Sequence, residues 1–313
     1  MAAILTLTMN PALDVSTGTD RILPTEKLRC TTPGRHPGGG GVNVARVVVR
    51  LGGEACAVYP RGGPTGELLD RLLAEEGVHH DAVPVSGMTR ESFTVDERQT
   101  GEQFRFVMPG PELGEADCDL VLGKLGEPSR PGAFLVVSGS LPPGVRGDFH
   151  ARVIARARSA GYRVVLDSSG PAYREAVDAG PWLIKPNREE FEKLTGQPAR
   201  SDDDLVEQAR GLLASGRTHA ILLSLGADGA LAATAEEHRF IRPPAVRVVS
   251  AVGAGDSLVG ALVLALERGW PLMSAACFGV AAGTAALATP GTELCRREDV
   301  ERLFSAMCET GEP

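Results

Sequence analysis

Residues 250–263, SAVGAGDSLVGALV, place one carboxylate, Asp256, inside an apolar run framed by glycines. Burying an ionised carboxylate without partners is costly, so such a group neutralises, finds partners or has a use. At a helix start, free backbone N–H groups would stand beside this carboxylate. Aspartate is also a favoured helix cap, and capping accounts for the same residues.

Two further stretches carry similar chemistry. PGGGGVNVAR (37–46) sets four glycines before a helix that bears Asn43, a pattern that lets backbone approach a small ligand or simply makes a flexible turn. KPNREEFEKL (185–194) puts Asn187 and Glu190 three residues apart at a helix start, where they share a face and also form a capping box. Other nucleotide and metal signatures are absent. The one Gly-Lys pair, Gly123-Lys124, is followed by Leu125 and lacks the P-loop glycine, since position 118 is Cys. Gly253 and Gly255 lack a third glycine at 258, which is Leu, so a dinucleotide fingerprint is not formed. The six histidines show no H-E-x-x-H and no spaced ligand cluster.

The elements that must position these residues are those of an α/β protein. Near-continuous apolar runs read as strands at 3–9, 55–60, 133–139, 162–169, 182–186 and 220–226, with helical runs between them such as 42–53 and 67–78. VRVVSAV (246–252) reads as one more strand, leading into a helix that starts at Asp256. Residues 92–108, SFTVDERQTGEQFRFVM, break the alternation and read as a β-hairpin around Gly101, either a lid or an oligomer contact. Arg90 and Arg105 suit a lid that faces an anion.

The 313 residues are 43% hydrophobic and 23% charged, an ordinary globular composition. With 32 basic against 40 acidic residues the net charge is −8, which argues against a general nucleic-acid surface. Six scattered cysteines without C-x-x-C suggest neither a disulfide framework nor a zinc site, and a reduced, cytoplasmic location is expected. No apolar run approaches the length of a membrane span, so no membrane partner is expected.

The two glycine motifs, PGGGGVNVARVVVRLGG and SAVGAGDSLVGALV, with the N-x-x-E element NREE between them, resemble the paired signatures of ribokinase-type (PfkB-type) sugar kinases. The resemblance covers essentially the whole chain. It implies a ribokinase-like three-layer α/β/α sandwich with a mostly parallel sheet, one domain over 1–313, and a discontinuous β lid formed by about 12–36 and 88–108. NPALD (10–14), KLRCT (27–31), GEQFRFVMPG (101–110), SGSLPPGV (138–145), VLDSSG (165–170) and FGVAAGTAA (278–286) are similar to the members that phosphorylate fructose 6-phosphate. Those acting on fructose 1-phosphate or tagatose 6-phosphate usually carry lysine where Gly40 stands, and remain the alternatives.

The implied reaction moves the γ-phosphoryl of MgATP to the 1-hydroxyl of the sugar phosphate, with Asp256 as base and Gly253, Ala254 and Gly255 as anion donors. The helix dipole is expected to keep Asp256 ionised. The resemblance assigns Asp14, Asn43, Gly39 and Gly40 to the sugar, and Lys27, Arg29, Arg90 and Ser140, with Arg105 as a weaker candidate, to its phosphate. It assigns Lys185, Asn187, Ser224, Gly226, Gly229 and Gly283 to the nucleotide, and Glu190 to magnesium through water. Ser250, Val252, Ala286, Thr289, Gly291 and Glu293 match positions that hold potassium in relatives. The expected partners are ATP, a phosphorylated ketohexose and a second copy joined through the lid. RGGPTGE (61–67) lacks an Asp that many ribokinase-type enzymes carry there. A non-catalytic sugar-phosphate sensor is the alternative of another class, disfavoured because a sensor needs no base.

Overall fold

The structure is a computed structural model and describes residues 3–128 and 130–309. Its large sheet has nine strands. From one edge these are β13 (His238–Ile241), β12 (Ala230–Ala233), β11 (Ala220–Ser224), β10 (Leu183–Ile184), β9 (Arg163–Asp167), β8 (Phe134–Ser138), β1 (Ile4–Leu7), β4 (Ala55–Arg61) and β5 (His79–Pro84). Seven consecutive strands from β11 to β5 pair in parallel, and β12 and β13 close one edge antiparallel.

The apolar strands divide by parity, because successive side chains point to opposite faces. Phe134 and Val136 of β8, Val165 of β9 and Leu222 of β11 enter one core; Leu135, Val137, Leu166 and Leu223 enter the other. The first core is covered by α1 (Gly40–Arg50), α2 (Gly63–Glu75), α8 (Ala254–Glu267), α9 (Leu272–Leu287) and α10 (Arg297–Glu309). The second lies under α3 (Glu115–Lys124), α4 (Phe149–Ala160), α5 (Tyr173–Asp178), α6 (Arg188–Thr195) and α7 (Asp202–Ala214). The three-layer α/β/α sandwich implied by the resemblance is therefore present.

A separate four-stranded sheet runs β3 (Gly34–Gly38), β2 (Ala12–Thr19), β6 (Arg90–Glu97), β7 (Gln103–Val107). The hairpin read at 92–108 is β6–β7, and β2 pairs with β6 in parallel from Ala12 opposite Arg90 to Thr19 opposite Glu97. Ser92, Thr94, Arg105 and Val107 share the face toward the main body's cavity, while Phe104 and Phe106 lie on the opposite face.

One expected strand is absent. Residues 242–252, including VRVVSAV, form a loop, with Val248 and Val249 exposed. β-branched residues favour strands only where a neighbour supplies the ladder; β13 ends at Ile241 as the sheet's edge, and this segment runs past it without pairing. The helix that follows starts at Ala254, two residues before Asp256, and α1 starts at Gly40, before Val42. The strand expected over 182–186 is reduced to Leu183–Ile184.

Candidate active site

The parallel strands end on one side of the large sheet, where β8 delivers Ser138, β9 delivers Asp167, and the turn after β10 delivers Lys185. Loops at the carboxyl ends of such strands are where open α/β sheets bind ligands. A polar cavity of about 330 Å³ lies here between these ends, the start of α8 and the small sheet. Asp14, Gly39, Gly40, Asn43, Arg90 and Asp256 all line it, although they span most of the sequence.

Asp256 does not cap its helix. The N-cap of α8 is Gly253, held at φ 74° with no side-chain cap, and Asp256 reaches instead to α1, where its Oδ2 accepts from Asn43 Nδ2 at 2.8 Å. The expectation that the helix dipole lowers its pKa and keeps it ionised is corrected by its surroundings. Burial, then the nearby Asp167 carboxylate, pushes Asp256 up to about 7, against the Asn43 donor and the Lys185 ammonium, which favour the charged form. Asp14 is likewise raised, to about 6, by burial opposed by Arg46, Arg90 and Arg105.

Asn187 and Glu190 form the capping box. Asn187 Oδ1 accepts from the Glu190 backbone N–H at 2.9 Å and Glu190 Oε2 accepts from that of Asn187 at 2.8 Å. The cap also aims both side chains at the site, since both line the polar cavity. Lys185 lies beside them with its Nζ 3.0 Å from Asp167 Oδ1. Burial works against its charge, but the Asp167 carboxylate prevails and holds its pKa above the usual lysine range.

A second, apolar cavity of about 650 Å³ adjoins the first and shares Asn187 with it. Ser224, Gly226, Gly229 and Gly283 line it, with Val246 and Val248 of the 242–252 loop. Ala254 and Gly255 line this side of the α8 start while Gly253 and Asp256 line the other. Gly283 also serves packing, because a Cβ there would lie 3.1 Å from the Ala254 carbonyl oxygen on α8.

Three of the residues assigned to the sugar's phosphate are not brought to the cavities. Lys27 and Arg29 lie exposed in the 20–33 loop, on a segment that lines neither cavity, so a single chain gives them no phosphate to hold. Ser140 is exposed and accepts from Asn10 Nδ2 at 3.3 Å, one residue beyond the cavity wall formed by Ser138 and Gly139. Arg90 and Arg105 do line the wall, and Arg90 is anchored through both terminal nitrogens to the carbonyls of Met108 and Asn10, at 3.0 Å each. Its buried Nε has no partner, so a donor remains for an anion. Asp167 and Ser138 were given no role by the sequence, although both lie at the ends of apolar strands and within the family-like stretches VLDSSG and SGSLPPGV.

The loops that carry the residues assigned to potassium are tied to one another by hydrogen bonds. Ser250 Oγ donates to the Gly291 carbonyl at 2.7 Å, and Thr289 Oγ1 lies 2.7 Å from the Ala286 and 2.6 Å from the Glu293 carbonyl oxygen. Val252 donates its N–H to Ser250 Oγ at 3.2 Å. Among the described residues no group of three or more His, Cys, Asp or Glu side chains is built to hold a metal.

Residues 7–299 match the model of the pfkB family carbohydrate kinases. The chain belongs to this family. The kinase is 44% identical over 310 residues to the ATP-dependent 6-phosphofructokinase isozyme 2 of Mycobacterium tuberculosis (strain CDC 1551 / Oshkosh), covering 99% of this chain and 91% of that one. It is 42% identical to the isozyme of the same name from Escherichia coli K12, over 97% and 99% of the two chains. It is 35% identical to a 1-phosphofructokinase of Xanthomonas campestris, over 84% of this chain and 83% of the other. The crystal structure of Escherichia coli phosphofructokinase-2 with substrates and products superposes with a TM-score of 0.93 at 42% identity, covering 97% and 99% of the chains. The kinase is thus a phosphotransferase. No described helix is long and apolar enough to cross a membrane.

Proposed function

We propose that this kinase transfers the γ-phosphoryl group of ATP to the 1-hydroxyl of fructose 6-phosphate, giving fructose 1,6-bisphosphate and ADP. The observation that carries the reading is the wall between the two cavities: one segment, Gly253–Asp256, presents a carboxylate to the polar side and backbone to the apolar side. A sugar phosphate in the polar cavity sets its hydroxyl at Asp256, and the purine of ATP lies in the apolar cavity. The substrate choice is supported by the near-full-length identity of 42–44% to the 6-phosphofructokinases, against 32–36% for the 1-phosphofructokinases.

In the reaction the sugar O1 forms a bond to Pγ while the bond from Pγ to the β,γ-bridging oxygen breaks. The proton of the hydroxyl passes to Asp256, a gain of roughly 10²–10⁴-fold for a well-placed base. A carboxylate with a pKa near 7 is a better match to this task than one near 4, because it is basic enough to hold the proton and still largely ionised at slightly alkaline pH. The N–H groups at the α8 start stabilise the charge that spreads over the transferring group. Asp14 and Asn43 orient the sugar, Gly39 and Gly40 admit it closely, and Arg90 with Arg105 faces its 6-phosphate.

For the nucleotide, Lys185 and Asn187 meet the phosphates at the junction, while Ser224, Gly226, Gly229 and Gly283 enclose the rest. A magnesium site built from one protein carboxylate suits this arrangement, since magnesium keeps several waters and takes its other ligands from the phosphates. Glu190, whose Oε1 is left free by the capping box, would hold it there, and the bound metal would neutralise phosphate charge. The carbonyl cluster around Ser250, Val252, Ala286, Thr289, Gly291 and Glu293 has the hard-oxygen character a potassium ion needs, and a complex of the Escherichia coli phosphofructokinase-2 with potassium is known.

The functional unit we infer is a homodimer joined at the outer face of the small sheet, where Phe106 is 47% exposed and Met108 is 40% exposed. Lys27 and Arg29 keep a part in phosphate binding only if a second copy presents them. A cytoplasmic location fits an enzyme of this class.

A coupled assay of ATP conversion to ADP with fructose 6-phosphate, fructose 1-phosphate and tagatose 6-phosphate tests the reading. The expected result is preference for fructose 6-phosphate and loss of turnover in Asp256→Asn. Equal turnover on all three sugars, or an active Asp256→Asn enzyme, overturns it.

A further inference from the structure

Arg46 is the largest side chain buried to 0% exposure, and its charge is answered from several directions. Its Nε donates to Glu76 Oε2 at 2.9 Å and its Nη2 to Glu76 Oε1 at 2.6 Å, a two-pronged pair with the residue that caps the C-terminus of α2. Its Nη1 donates to the Pro37 carbonyl at 2.7 Å and to Asn43 Oδ1 at 3.1 Å. We infer that the Arg46–Glu76 pair is a positioning element for phosphoryl transfer, which fixes the Asn43 amide and through it the proton-accepting oxygen of Asp256. The inference rests on the reading of Asp256 as the base.

The physical reason is the one-way chemistry of the guanidinium. Arginine can only donate, so the amide end that faces Arg46 must be the carbonyl oxygen. The NH₂ end is then turned to Asp256, as observed. A flipped amide would set NH₂ against the guanidinium and a carbonyl oxygen against a carboxylate, two unfavourable contacts in a buried setting. With Oδ2 of Asp256 engaged by Asn43, Oδ1 is the oxygen left for the sugar hydroxyl. The bidentate geometry resists rotation of the guanidinium, and a lysine cannot reproduce it. The other charged groups facing Asp256 are Asp167 at the end of β9, Lys185 after β10 and Asp14 on β2, so Asn43 is the neutral donor in an otherwise charged shell. Arg46 also acts on Asp14 electrostatically, which ties the pair to both carboxylates of the cavity.

The competing account is a pair that only fastens α1 to α2. The two are separated by measuring kcat/KM against pH for the full-length enzyme with Arg46→Lys, Asn43→Ala and the double substitution. A positioning role lowers kcat/KM by about tenfold or more in Arg46→Lys and moves the acid limb to higher pH, because loss of the Asn43 donor disfavours the ionised carboxylate. In the Asn43→Ala background the same Arg46→Lys change is expected to cost less than about twofold, since the two act in series. An acid limb superimposable on that of the unsubstituted enzyme, or losses that multiply in the double variant, overturns the inference. Should Arg46→Lys fail to fold, Glu76→Gln, which keeps a hydrogen-bonding side chain beside the guanidinium, carries the same two readouts. An active Asp256→Asn enzyme defeats the base assignment itself. An inactive Asp256→Asn with an unshifted Arg46→Lys profile defeats only the positioning.

Discussion

The Lys185 ammonium lies 3.0 Å from the Asp167 carboxylate, at the mouths of neighbouring strands, and both groups are largely buried. Removing one partner of such a pair leaves an uncompensated charge, with a typical cost of about 3–5 kcal/mol. Lys185→Met is therefore expected to destabilise the protein by about 3 kcal/mol and to raise the pKa of Asp256, because one cation that favours its ionised form is gone. Urea denaturation and a pH–rate profile on the same variant check both effects. A stable variant with an unchanged profile would show that the ammonium acts on neither carboxylate.

Asp256→Asn is expected to lose about 10²–10⁴-fold in kcat with little change in KM, and at the same time to gain stability. The sign follows from linkage. A carboxyl whose folded-state pKa is raised opposes folding once it ionises, so the native protein loses stability as pH rises from the unfolded-state value of 3.8 to about 7. The asparagine variant escapes that loss. Its melting temperature relative to the unsubstituted protein is expected to rise between pH 4 and 7 and to level off above; a constant difference across this window would contradict the burial argument.

With all residues in place, kcat/KM is expected to fall below about pH 7 as Asp256 takes up a proton and can no longer accept one from the substrate. Asp14, itself raised to about 6, faces the same cavity, so the limb belongs to the two carboxyls together. Measurement between pH 5 and 9 at saturating nucleotide tests this. A flat profile down to pH 5 would place the base in a more polar setting than the one observed.

Gly40 is required by packing as much as by the ligand. A Cβ there would lie 2.2 Å from Ser138 Oγ and 3.0 Å from the Gly139 nitrogen. Gly40→Ala is expected to lower both stability, by about 1–3 kcal/mol, and sugar affinity, and Ser138→Ala in the same chain is expected to restore part of the stability. Thermal melts of the single and double variants decide it, with no rescue counting against the contact.

Exposed apolar groups on the outer face of the small sheet predict association. Phe106→Glu is expected to shift sedimentation from dimer to monomer, and, if the second copy supplies Lys27 and Arg29, to raise KM for the sugar phosphate as well. A monomeric unsubstituted protein at micromolar concentration would refute the pairing.

The sandwich was legible because parity and apolar runs dictate it: Phe134 to Ser138 and Arg163 to Asp167 have no other place to go than a buried strand. Asp256, Asn43 and Glu190 could be picked out because glycines and caps surround them. Arg46, Asp167 and Ser138 could not, since their roles come from the order of strands and from contacts that only the folded chain makes. Residues 246–252 misled for a related reason: their composition suits a strand, but a ladder needs a partner. Gly34–Gly38, with a proline and a histidine in five residues, carries no alternation, yet pairs antiparallel with β2, His36 standing opposite Asp14.

The unpaired valines of the 242–252 loop have an energetic meaning. Val248 is 62% exposed and lines the apolar cavity. A purine seated there would cover carbon that the chain alone leaves in water, so the nucleotide would contribute a missing piece of hydrophobic core as well as a phosphoryl group. By mass action such a ligand adds stability in proportion to the logarithm of its concentration, about 2.7 kcal/mol at a hundredfold excess over Kd. The folded fraction of this enzyme, and the resistance of that loop to proteolysis, would then follow the supply of ATP.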